Sequence, residues 1–276
     1  MPQPFNIPFM AETDFTFHEK DVIPFYSCAP FEKIPGLHHG FSTRLQRSGA
    51  PSEKMFNLGQ TAWDSEGNIE KNQLRFLSAL NLDASSIAKL RQIHSCRIHI
   101  IKEVSDKWNP PQGDALITGG KDIALAVRTA DCFPILIADR SGGHIAAVHS
   151  GWRGTLQQIV FHTVRLLQRS FSRNPSNLLV AIGPGIRSCC FEVGVDVYDR
   201  FKMSLPETLP VRTASKPGKF LLDLPEILKR QLRKAGIHPK NIFDSGLCTC
   251  CNTDLFFSYR AEGDRSGRMM AVIGRT

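Results

Sequence analysis

Five short apolar segments between residues 96 and 149 constrain the fold of this chain most strongly. Several of them are nearly continuous in apolar residues, which is typical of strands that are covered on both faces. The segments span residues 96–104, 114–119, 123–129, 133–139 and 144–149. The sequence therefore predicts a block of buried strands in the middle of the chain.

Helical periodicity before and after this block predicts that helices accompany the strands. In residues 69–80 the apolar residues recur at helical spacing and place Leu74, Leu77 and Leu80 on one face. Residues 155–171 carry the clearest helical pattern of the chain and directly follow a predicted strand, as in a βα unit.

Weaker signals complete the pattern and indicate one domain. Asp223 and Glu226 have the capping-box spacing that opens a helix, which we expect to end near Ala235. No Gly/Ser-rich linker, internal repeat or low-complexity tract divides the chain, so we predict a single mixed domain of the α/β (α+β) class. Further strands are predicted at residues 36–44, 178–183 and 268–274.

The beginning of the chain lacks the regular apolar pattern of the rest. Residues 1–35 are rich in proline and show no sustained periodicity, so we expect an irregular arm there with at most one short strand. Regular patterning begins at Gly36. We therefore divide the chain into an irregular N-terminal arm, residues 1–35, and a single main domain, residues 36–276. The prolines of the arm are Pro2, Pro4, Pro8, Pro24 and Pro30.

The charge of the chain favours small anionic ligands over nucleic acid. Lys and Arg number 34 and Asp and Glu 26, which gives a formal net charge of +8. The basic residues are scattered, and the densest group has the spacing of the solvent-facing side of one helix. We therefore predict no nucleic-acid partner and a surface that attracts phosphorylated or anionic small molecules. That group is Lys229, Arg230, Arg233 and Lys234.

Two further absences limit where the protein works. No apolar run approaches the roughly 20 residues that span a bilayer, so we predict no membrane partner. The N-terminal residues lack a basic segment followed by an apolar one, which is the pattern of a secretion signal. We therefore expect a cytoplasmic protein whose eight cysteines are reduced thiols and free to act as ligands or nucleophiles.

Three residues at the ends of predicted buried strands form the first candidate site. His94, Cys132 and His149 are 38 and 17 residues apart, so only the fold could bring them together. Two imidazoles and one thiolate suit Zn²⁺, and three protein ligands with one open position are typical of a catalytic zinc site that activates water. Copper is an alternative metal for the same ligands. In a purely structural interpretation, Cys132 is a small core residue and the histidines are satisfied polar groups.

Five other cysteines form a second cluster in the sequence. Residues 248–251 contain a C-x-x-C, but the partner would be an adjacent pair rather than a second C-x-x-C, so the zinc-ribbon pattern fails. We expect buried free thiols there rather than a zinc site. The five cysteines are Cys189, Cys190, Cys248, Cys250 and Cys251.

Two glycine-containing segments raise the question of phosphate binding. Residues 150–154 precede the long helix, so the free amides of its first turn and Arg153 could receive an anion, although a plain βα turn explains the glycines equally well. Residues 182–188 follow a strand but lack the third glycine of a dinucleotide fingerprint and the Lys-Ser/Thr of a P-loop. Neither nucleotide motif is therefore present.

The motifs together resemble the bacterial YfiH-like family, whose members are described both as multicopper polyphenol oxidase (laccase) domain proteins and as purine nucleoside phosphorylases. The resemblance runs from about Gly36 to the C-terminus, and the ordered matches make coincidence implausible. The matching segments are HHGFSTR (38–44), FNLG (56–59), QIHS (92–95), GDALIT (113–118), RTADCFPILIAD (128–139), AAVHSGWRGT (146–155), IGPGIRSCCFEVG (182–194), FFSYR (256–260) and GR (267–268).

This resemblance implies a fold, a metal site and a chemistry. The fold would be a layered sandwich of mixed β-sheets flanked by helices, and His94, Cys132 and His149 would hold one catalytic metal, usually treated as zinc. The implied reactions are deamination of adenosine and phosphorolysis of adenosine, inosine and S-methyl-5′-thioadenosine, with phosphate as the second substrate. One departure is Ala261, where members commonly carry a second basic residue.

The remaining roles are assigned by the needs of these reactions. The His-x-Glu and Pro-Cys-x-x-Cys of ordinary zinc deaminases are both missing, so Asp131 becomes the candidate for proton transfer. Arg44 and Arg153 are candidates for binding phosphate, and Asn57 for hydrogen bonding to the sugar. Each of these three residues could equally serve the structure alone.

Three other functions remain as alternatives. A multicopper laccase needs many histidines, largely in His-x-His pairs, whereas this chain has nine histidines and no such pair; weak oxidation at one copper-loaded site stays open. A second alternative is a hydrolase of a cell-wall precursor with Cys132 as nucleophile and His149 as base. A third is a non-catalytic basic module that binds nucleic acid with a steep salt dependence.

Overall fold

Two mixed six-stranded sheets and one small antiparallel sheet form in the computed structural model, which describes residues 14–46, 55–105, 108–205 and 208–276. The strands in chain order are β1 (Phe15–Lys20), β2 (Ile23–Cys28), β3 (Leu37–Ser42), β4 (Ile87–Ala88), β5 (Ile98–Ile101), β6 (Ala115–Thr118), β7 (Ala124–Thr129), β8 (Phe133–Asp139), β9 (Ile145–Ser150), β10 (Leu178–Ile182), β11 (Glu192–Gly194), β12 (Val211–Thr213), β13 (Lys219–Leu222), β14 (Ile242–Asp244) and β15 (Met269–Arg275).

The helices supply the outer layers. They are α1 (Ala29–Glu32), α2 (Glu66–Ala79), α3 (Trp152–Leu156), α4 (Ile159–Phe171), α5 (Val195–Ser204), α6 (Leu224–Lys234) and α7 (Tyr259–Glu262). None of the helices in the described ranges is long and apolar enough to cross a membrane.

The order of the strands explains why both large sheets are mixed. The first sheet has the order β1-β2-β3-β15-β7-β4 and the second the order β14-β10-β8-β9-β6-β5, while β11-β13-β12 form the small sheet. Pairing is parallel between β4 and β7, between β5 and β6 and between β10 and β14. It is antiparallel in the other pairs of the two large sheets. The predicted α/β (α+β) class with mixed sheets and flanking helices is confirmed.

Alternation along the strands creates three apolar layers. In β8, Leu136 contacts the cluster that lies between the two large sheets, whereas Ile135 and Ile137 contact the cluster under α4 and α6. In β7, Val127 faces the first of these clusters and Ala126 the cluster under α2. The layers are therefore helix, sheet, sheet and helix, and the two central sheets are buried on both faces, as the continuous apolar segments predict.

The predicted N-terminal arm is partly ordered as sheet. Residues 1–13 lie outside the described part, but β1 and β2 form an antiparallel hairpin at the edge of the first sheet, where at most one short strand was expected. The prolines are compatible with this structure because Pro24 lies next to the start of β2 and Pro30 lies in the first turn of α1. The irregular arm is therefore wrong for the described residues, whereas the domain boundary stays a prediction.

Two predicted helices differ in detail. Leu74 is 55% exposed, so the buried face of α2 contains Ile69 and Phe76 instead of a stripe through Leu74. The helix predicted over residues 155–171 is interrupted at Gln158, which has a left-handed φ of 58°. At this break the Thr155 carbonyl accepts hydrogen bonds from the Gln158 backbone N–H at 3.0 Å and from the Gln231 side chain of α6 at 2.7 Å. The third predicted helix is confirmed as α6, with Asp223 capping its first turn.

Candidate metal centre

Three sequence-distant side chains meet at one end of the second large sheet. The metal-ligating atoms of His94, Cys132 and His149 all lie within 4.8 Å of one another, and Cys132 Sγ is 3.8 Å from His94 Nε2. Cys132 immediately precedes β8, and His149 lies near the end of β9, where it pairs with Pro134 across the sheet. The antiparallel register of β8 and β9 therefore brings the thiol and one imidazole to the same end of the sheet.

Asp114 is the group that orients two of the three side chains. Its Oδ1 accepts hydrogen bonds from His149 Nδ1 at 2.8 Å and from the His94 backbone N–H at 3.0 Å. Its Oδ2 accepts from the Ser95 backbone N–H at 2.6 Å and from the Ser95 hydroxyl at 2.7 Å. Because Nδ1 of His149 is occupied, its Nε2 is left for a metal, as in carboxylate–histidine–metal arrangements.

The electrostatics of the three groups favour a thiolate. Burial raises the pKa of the Cys132 thiol, but the charge of His149 and hydrogen bonds from His149 and His94 outweigh burial and lower it to about 6. Burial lowers the pKa of His149, but the Cys132 thiolate and the Asp114 carboxylate outweigh it and raise the pKa to about 9. A cysteine ionised near neutral pH is the form that binds a metal or attacks a carbonyl.

The backbone around the centre is adapted to it. A Cβ on Gly151 would lie 2.8 Å from Cys132 Sγ and 3.0 Å from His94 Cδ2, so a side chain at this position would press against two of the three groups. His94 and Asp131 both have positive φ, at 57° and 83°. Left-handed backbone at non-glycine residues costs free energy and is concentrated at functional sites.

The donor set fits a zinc or copper ion. It offers a thiolate and two imidazole nitrogens, and one of the imidazoles is fixed in its tautomer by a carboxylate. It holds only two histidines, which is too few for the trinuclear copper cluster of a laccase. In the described part of the chain, the other grouping of metal-binding side chains consists of cysteines alone.

The centre opens into a cavity of about 550 Å³. The described residues that line it are mostly polar, with an apolar patch formed by Ile186, Phe191 and Tyr259. They comprise Gln60, Arg91, Gln92, His94, Arg128, Thr129, Ala130, Asp131, Cys132, His149, Ile186, Phe191, Tyr259, Arg260 and Arg268.

The cavity is strongly basic. Arg91, Arg128, Arg260 and Arg268 line it, and none of them forms an ion pair with a carboxylate of the described residues. Burial and the neighbouring charge of Arg268 lower the pKa of Arg128. Asp131 is the single acidic residue among the described lining residues. The positive charge is therefore largely uncompensated and is suited to an anion.

Asp131, the candidate for proton transfer, lines the cavity next to Cys132 in the chain and contacts two residues of the cavity's surroundings. Its Oδ1 accepts a hydrogen bond from the Thr249 hydroxyl and its Oδ2 accepts one from the Arg260 backbone N–H, each at 2.6 Å. Each carboxylate oxygen therefore accepts one hydrogen bond from the protein and keeps a second lone pair.

The three predicted substrate-binding residues lie outside the cavity lining. Arg44 forms an ion pair with Glu262 at 2.7 Å and covers the Phe257 ring, while Arg153 is exposed and covers the Trp152 ring. Asn57 is fully buried; its Oδ1 accepts a hydrogen bond from the Arg268 backbone N–H at 2.8 Å. The structure thus does not bring these side chains to the metal centre, and Asn57 acts on the cavity only through Arg268.

Several lining residues escaped the sequence analysis although they belong to the matched motifs. Arg128 opens the RTADC segment, and Arg260 and Arg268 end the FFSYR and GR segments. Gln92 of QIHS exchanges two hydrogen bonds with the backbone of Arg128, at 2.7 and 2.8 Å. The rejected candidates Arg44 and Arg153 lie in matched motifs as well, so membership of a motif did not separate the arginines that line the cavity from those that do not.

Known proteins are similar to this chain in sequence and in fold. A family model described as "Multi-copper polyphenol oxidoreductase laccase" matches residues 38–276. The chain is 36% identical over 229 residues to the purine nucleoside phosphorylase YlmD of Geobacillus stearothermophilus, covering 79% of this chain and 83% of the relative. The crystal structure of YlmD from that organism superposes with a TM-score of 0.85 and 31% identity, covering 96% of this chain and 99% of that one.

Two more relatives carry different names. The purine nucleoside phosphorylase YfiH of Escherichia coli is 31% identical over 232 residues, covering 84% of this chain and 91% of the relative. A protein named adenosine deaminase RL5, from an unknown prokaryotic organism, is 32% identical over 254 residues, covering 88% of this chain and 96% of the relative.

Proposed function

The chain belongs to the family described as multi-copper polyphenol oxidoreductase laccase, and from the residues of its site we propose that it is a zinc-dependent purine nucleoside phosphorylase that also deaminates adenosine. One observation carries this proposal: a two-histidine, one-cysteine centre opens into a cavity whose arginines form no ion pair with a carboxylate of the residues that the structure describes. Such a cavity suits a reaction in which a nucleoside and an inorganic anion react beside a Lewis acid. The names of YlmD, YfiH and RL5 support the same two reactions.

The arginines would hold phosphate for phosphorolysis. A phosphate oxygen forms a bond to the ribose carbon while the bond from that carbon to the purine nitrogen breaks, and the purine leaves with a proton. Guanidinium groups at fixed positions stabilise the charge on phosphate throughout this exchange. We assign this role to Arg128 and Arg268, in place of Arg44 and Arg153.

The apolar part of the cavity would receive the purine. Phe191 and Tyr259 present aromatic rings beside Ile186, and Tyr259 is 51% exposed, so a flat base could stack there. Adenosine, inosine and S-methyl-5′-thioadenosine share the purine and differ at the exocyclic group or at the 5′ position. We propose all three as substrates.

Deamination would use the metal centre and Asp131. His94, Cys132 and His149 would hold the ion, and Asp114 keeps His149 oriented for it. When bound, zinc supplies a Lewis acid with one position open to a reactant. The oxygen of a water molecule adds to the purine carbon that bears the amine, ammonia leaves, and the Asp131 carboxylate accepts and returns the proton.

One observation favours a second candidate function. The lowered pKa of Cys132 and the raised pKa of His149 describe a thiolate–imidazolium pair, which is also the arrangement of a cysteine nucleophile with its base. A hydrolase acting on a cell-wall precursor could work with this pair and without a metal. A cytoplasmic location, which keeps Cys132 reduced, is part of either proposal.

A product screen with the purified full-length protein tests the main proposal. Adenosine, inosine and S-methyl-5′-thioadenosine are supplied with and without phosphate, and bases, pentose phosphates and ammonia are quantified. We expect phosphate-dependent release of the base and phosphate-independent formation of inosine from adenosine. Absence of both reactions in zinc-replete protein would refute the proposal.

Chelation and alkylation separate the two candidates. If the metal is required, a chelator abolishes turnover, zinc restores it, and bound zinc protects Cys132 from iodoacetamide. Rapid alkylation of Cys132 in metal-replete protein, with unchanged activity after chelation, would favour the nucleophile instead. Cys96→Ala is a matched control for the loss of a thiol elsewhere in the protein, because the Cys96 thiol lies outside the cavity lining and contacts the Gln157 carbonyl.

A further inference from the structure

Four cysteines outside the histidine-containing centre converge on one point. The Sγ atoms of Cys189, Cys190, Cys248 and Cys251 all lie within 4.8 Å of one another. Cys251 Sγ is 3.4 Å from Cys189 Sγ and 3.3 Å from Cys190 Sγ. Cys189 and Cys251 are exposed, which contradicts the expectation of buried free thiols.

Two parallel strands bring the four thiols together. β10 and β14 pair in parallel, and the segments that follow them continue side by side through a bridge between Gly185 and Cys248. Cys189 and Cys190 belong to the first segment, and Cys248 and Cys251 to the second. Cys189 and Cys190 do not have zinc-ribbon spacing in the sequence. The parallel pairing of the two strands nevertheless places them opposite Cys248 and Cys251.

A backbone amide points at the thiol of Cys248. The Arg187 N–H donates a hydrogen bond to Cys248 Sγ at 3.5 Å, and the other three sulfur atoms of the cluster lie within 4.8 Å of it. Four sulfur atoms this close together can all bind as thiolates only if a cation compensates their charge.

We propose that Cys189, Cys190, Cys248 and Cys251 form a second, structural zinc site. Four thiolates without an open position are the ligand set of structural rather than catalytic zinc. Each thiol releases its proton to solvent when the ion binds, and no electrons are transferred. Two ligands come from the segment that follows β10 and two from the segment that follows β14. The ion would therefore join parts of the chain that are about 60 residues apart.

The second site would brace one wall of the cavity. Thr249, between two of the ligands, donates its hydroxyl hydrogen bond to Asp131 at 2.6 Å. Arg260 donates hydrogen bonds to the carbonyls of Cys190 and Glu192, at 2.8 and 3.1 Å. An ion that fixes the four thiols would therefore also fix the positions of Thr249 and Arg260. The histidine-containing centre binds its own ion independently.

Zinc stoichiometry by elemental analysis tests this site. We expect two zinc ions per chain in gently purified protein, and one in Cys132→Ala and in a Cys248→Ser/Cys251→Ser double variant. Cys250→Ser is the matched control and should retain two, because Cys250 lies in the same turn but outside the cluster. Equal zinc contents in the wild type and the double variant would overturn the proposal.

Cobalt substitution gives a second readout that does not require the double variant to fold. In Cys132→Ala, Co²⁺ should give the intense sulfur-to-cobalt absorption of a four-thiolate site, which zinc then displaces. Absence of this absorption in folded Cys132→Ala would overturn the proposal. So would an intact mass, after reducing purification, that is lower by two hydrogen atoms, because it would show a disulfide of Cys251 with Cys189 or Cys190.

Discussion

The Asp114 carboxylate lies 2.8 Å from Nδ1 of His149 and, through the same oxygen, 3.0 Å from the backbone nitrogen of His94. One buried acid thus sets the ring orientation of one candidate ligand and the main-chain position of another. Hydrogen bonds of this kind keep their geometry only if Asp114 remains an anion that accepts from every neighbour.

Asp114→Asn tests this relationship. An amide has one acceptor oxygen instead of two, so either the pair of donors from His149 and His94 or the pair from Ser95 loses its acceptor. We expect zinc affinity to fall about 10- to 100-fold. Competition with a chromophoric chelator measures the affinity. Asp199→Asn, at an exposed position of α5, is the control and should bind zinc as the wild type does.

Gly151→Ala should damage the centre without unfolding the chain. The added methyl group would lie 2.8 Å from Cys132 Sγ and 3.0 Å from His94 Cδ2, so one of the two ligands must move. We expect loss of zinc and of turnover, with a destabilisation of about 1–3 kcal/mol. Zinc content and urea unfolding check both parts.

Gly67→Ala is the matched control for this substitution. A Cβ at Gly67, in the first turn of α2, meets nothing within 4 Å. Alanine should therefore leave zinc and activity unchanged and stabilise the helix slightly. Full zinc content in Gly151→Ala would show that the ligands tolerate the methyl group and that the centre is less tightly packed than its distances indicate.

Arg128→Gln should separate the two proposed reactions. A charge-assisted hydrogen bond contributes about 1.5–3 kcal/mol, so its loss should raise KM for phosphate about 10- to 100-fold. Deamination uses no phosphate and should change much less. Initial rates over a range of phosphate concentrations give KM and kcat separately.

Arg153→Gln serves as the comparison for Arg128→Gln. Arg153 is exposed and covers Trp152 outside the cavity, so its loss should leave KM for phosphate unchanged. The reverse result, in which Arg153→Gln raises KM for phosphate and Arg128→Gln does not, would support phosphate binding by Arg153, as predicted from the glycine-containing residues 150–154.

Stability should fall in mild acid because of His39. Burial lowers the pKa of this imidazole from 6.5 to about 4, and its Nε2 accepts the Cys28 backbone N–H at 2.8 Å. The unfolded chain therefore binds more protons than the folded chain between pH 6.5 and 4, so the free energy of unfolding decreases as the pH falls through that window. The loss should be about 2–3 kcal/mol, with no contribution from His39 above pH 6.5.

Urea unfolding at several pH values measures this effect. His39→Phe should be less stable at neutral pH, because the Cys28 N–H loses its acceptor, but its stability should decline less between pH 6.5 and 4. The exposed His162→Gln should follow the wild-type pH dependence. Parallel curves for the wild type and His39→Phe would contradict the prediction.

The sequence predicted the buried strands because burial leaves a local pattern, whereas the layered arrangement was implied by the family resemblance. Both faces of β7 and β8 are apolar, and this is readable residue by residue. The N-terminal hairpin was missed because proline counts as a breaker in a local pattern, whereas Pro24 and Pro30 occupy positions that tolerate it. The pairing of β2 with β1 and with β3, which the sequence does not display, shows that β2 is part of a sheet.

The metal-ligand candidates could be predicted from the sequence because their residue types are rare at strand ends. The substrate-binding arginines could not, because arginine is a common residue. His94, Cys132 and His149 stand out because ligand types at strand ends are rare. Arginines are frequent, and the charge of Arg44 is neutralised by Glu262, a partner 218 positions away that no local signal connects to it. Asp114 acts through backbone N–H groups, which the sequence does not display.

The position of β15 between β3 and β7 has a consequence for synthesis of the protein. Both neighbours leave the ribosome long before β15 does, so the first sheet carries a gap with two unpaired edges until residues 269–275 arrive. Arg268, which immediately precedes β15, is delivered to the cavity by the same event. A nascent chain without β15 therefore also lacks the Arg268 side chain in the cavity, so the first sheet and this part of the cavity wall are completed together.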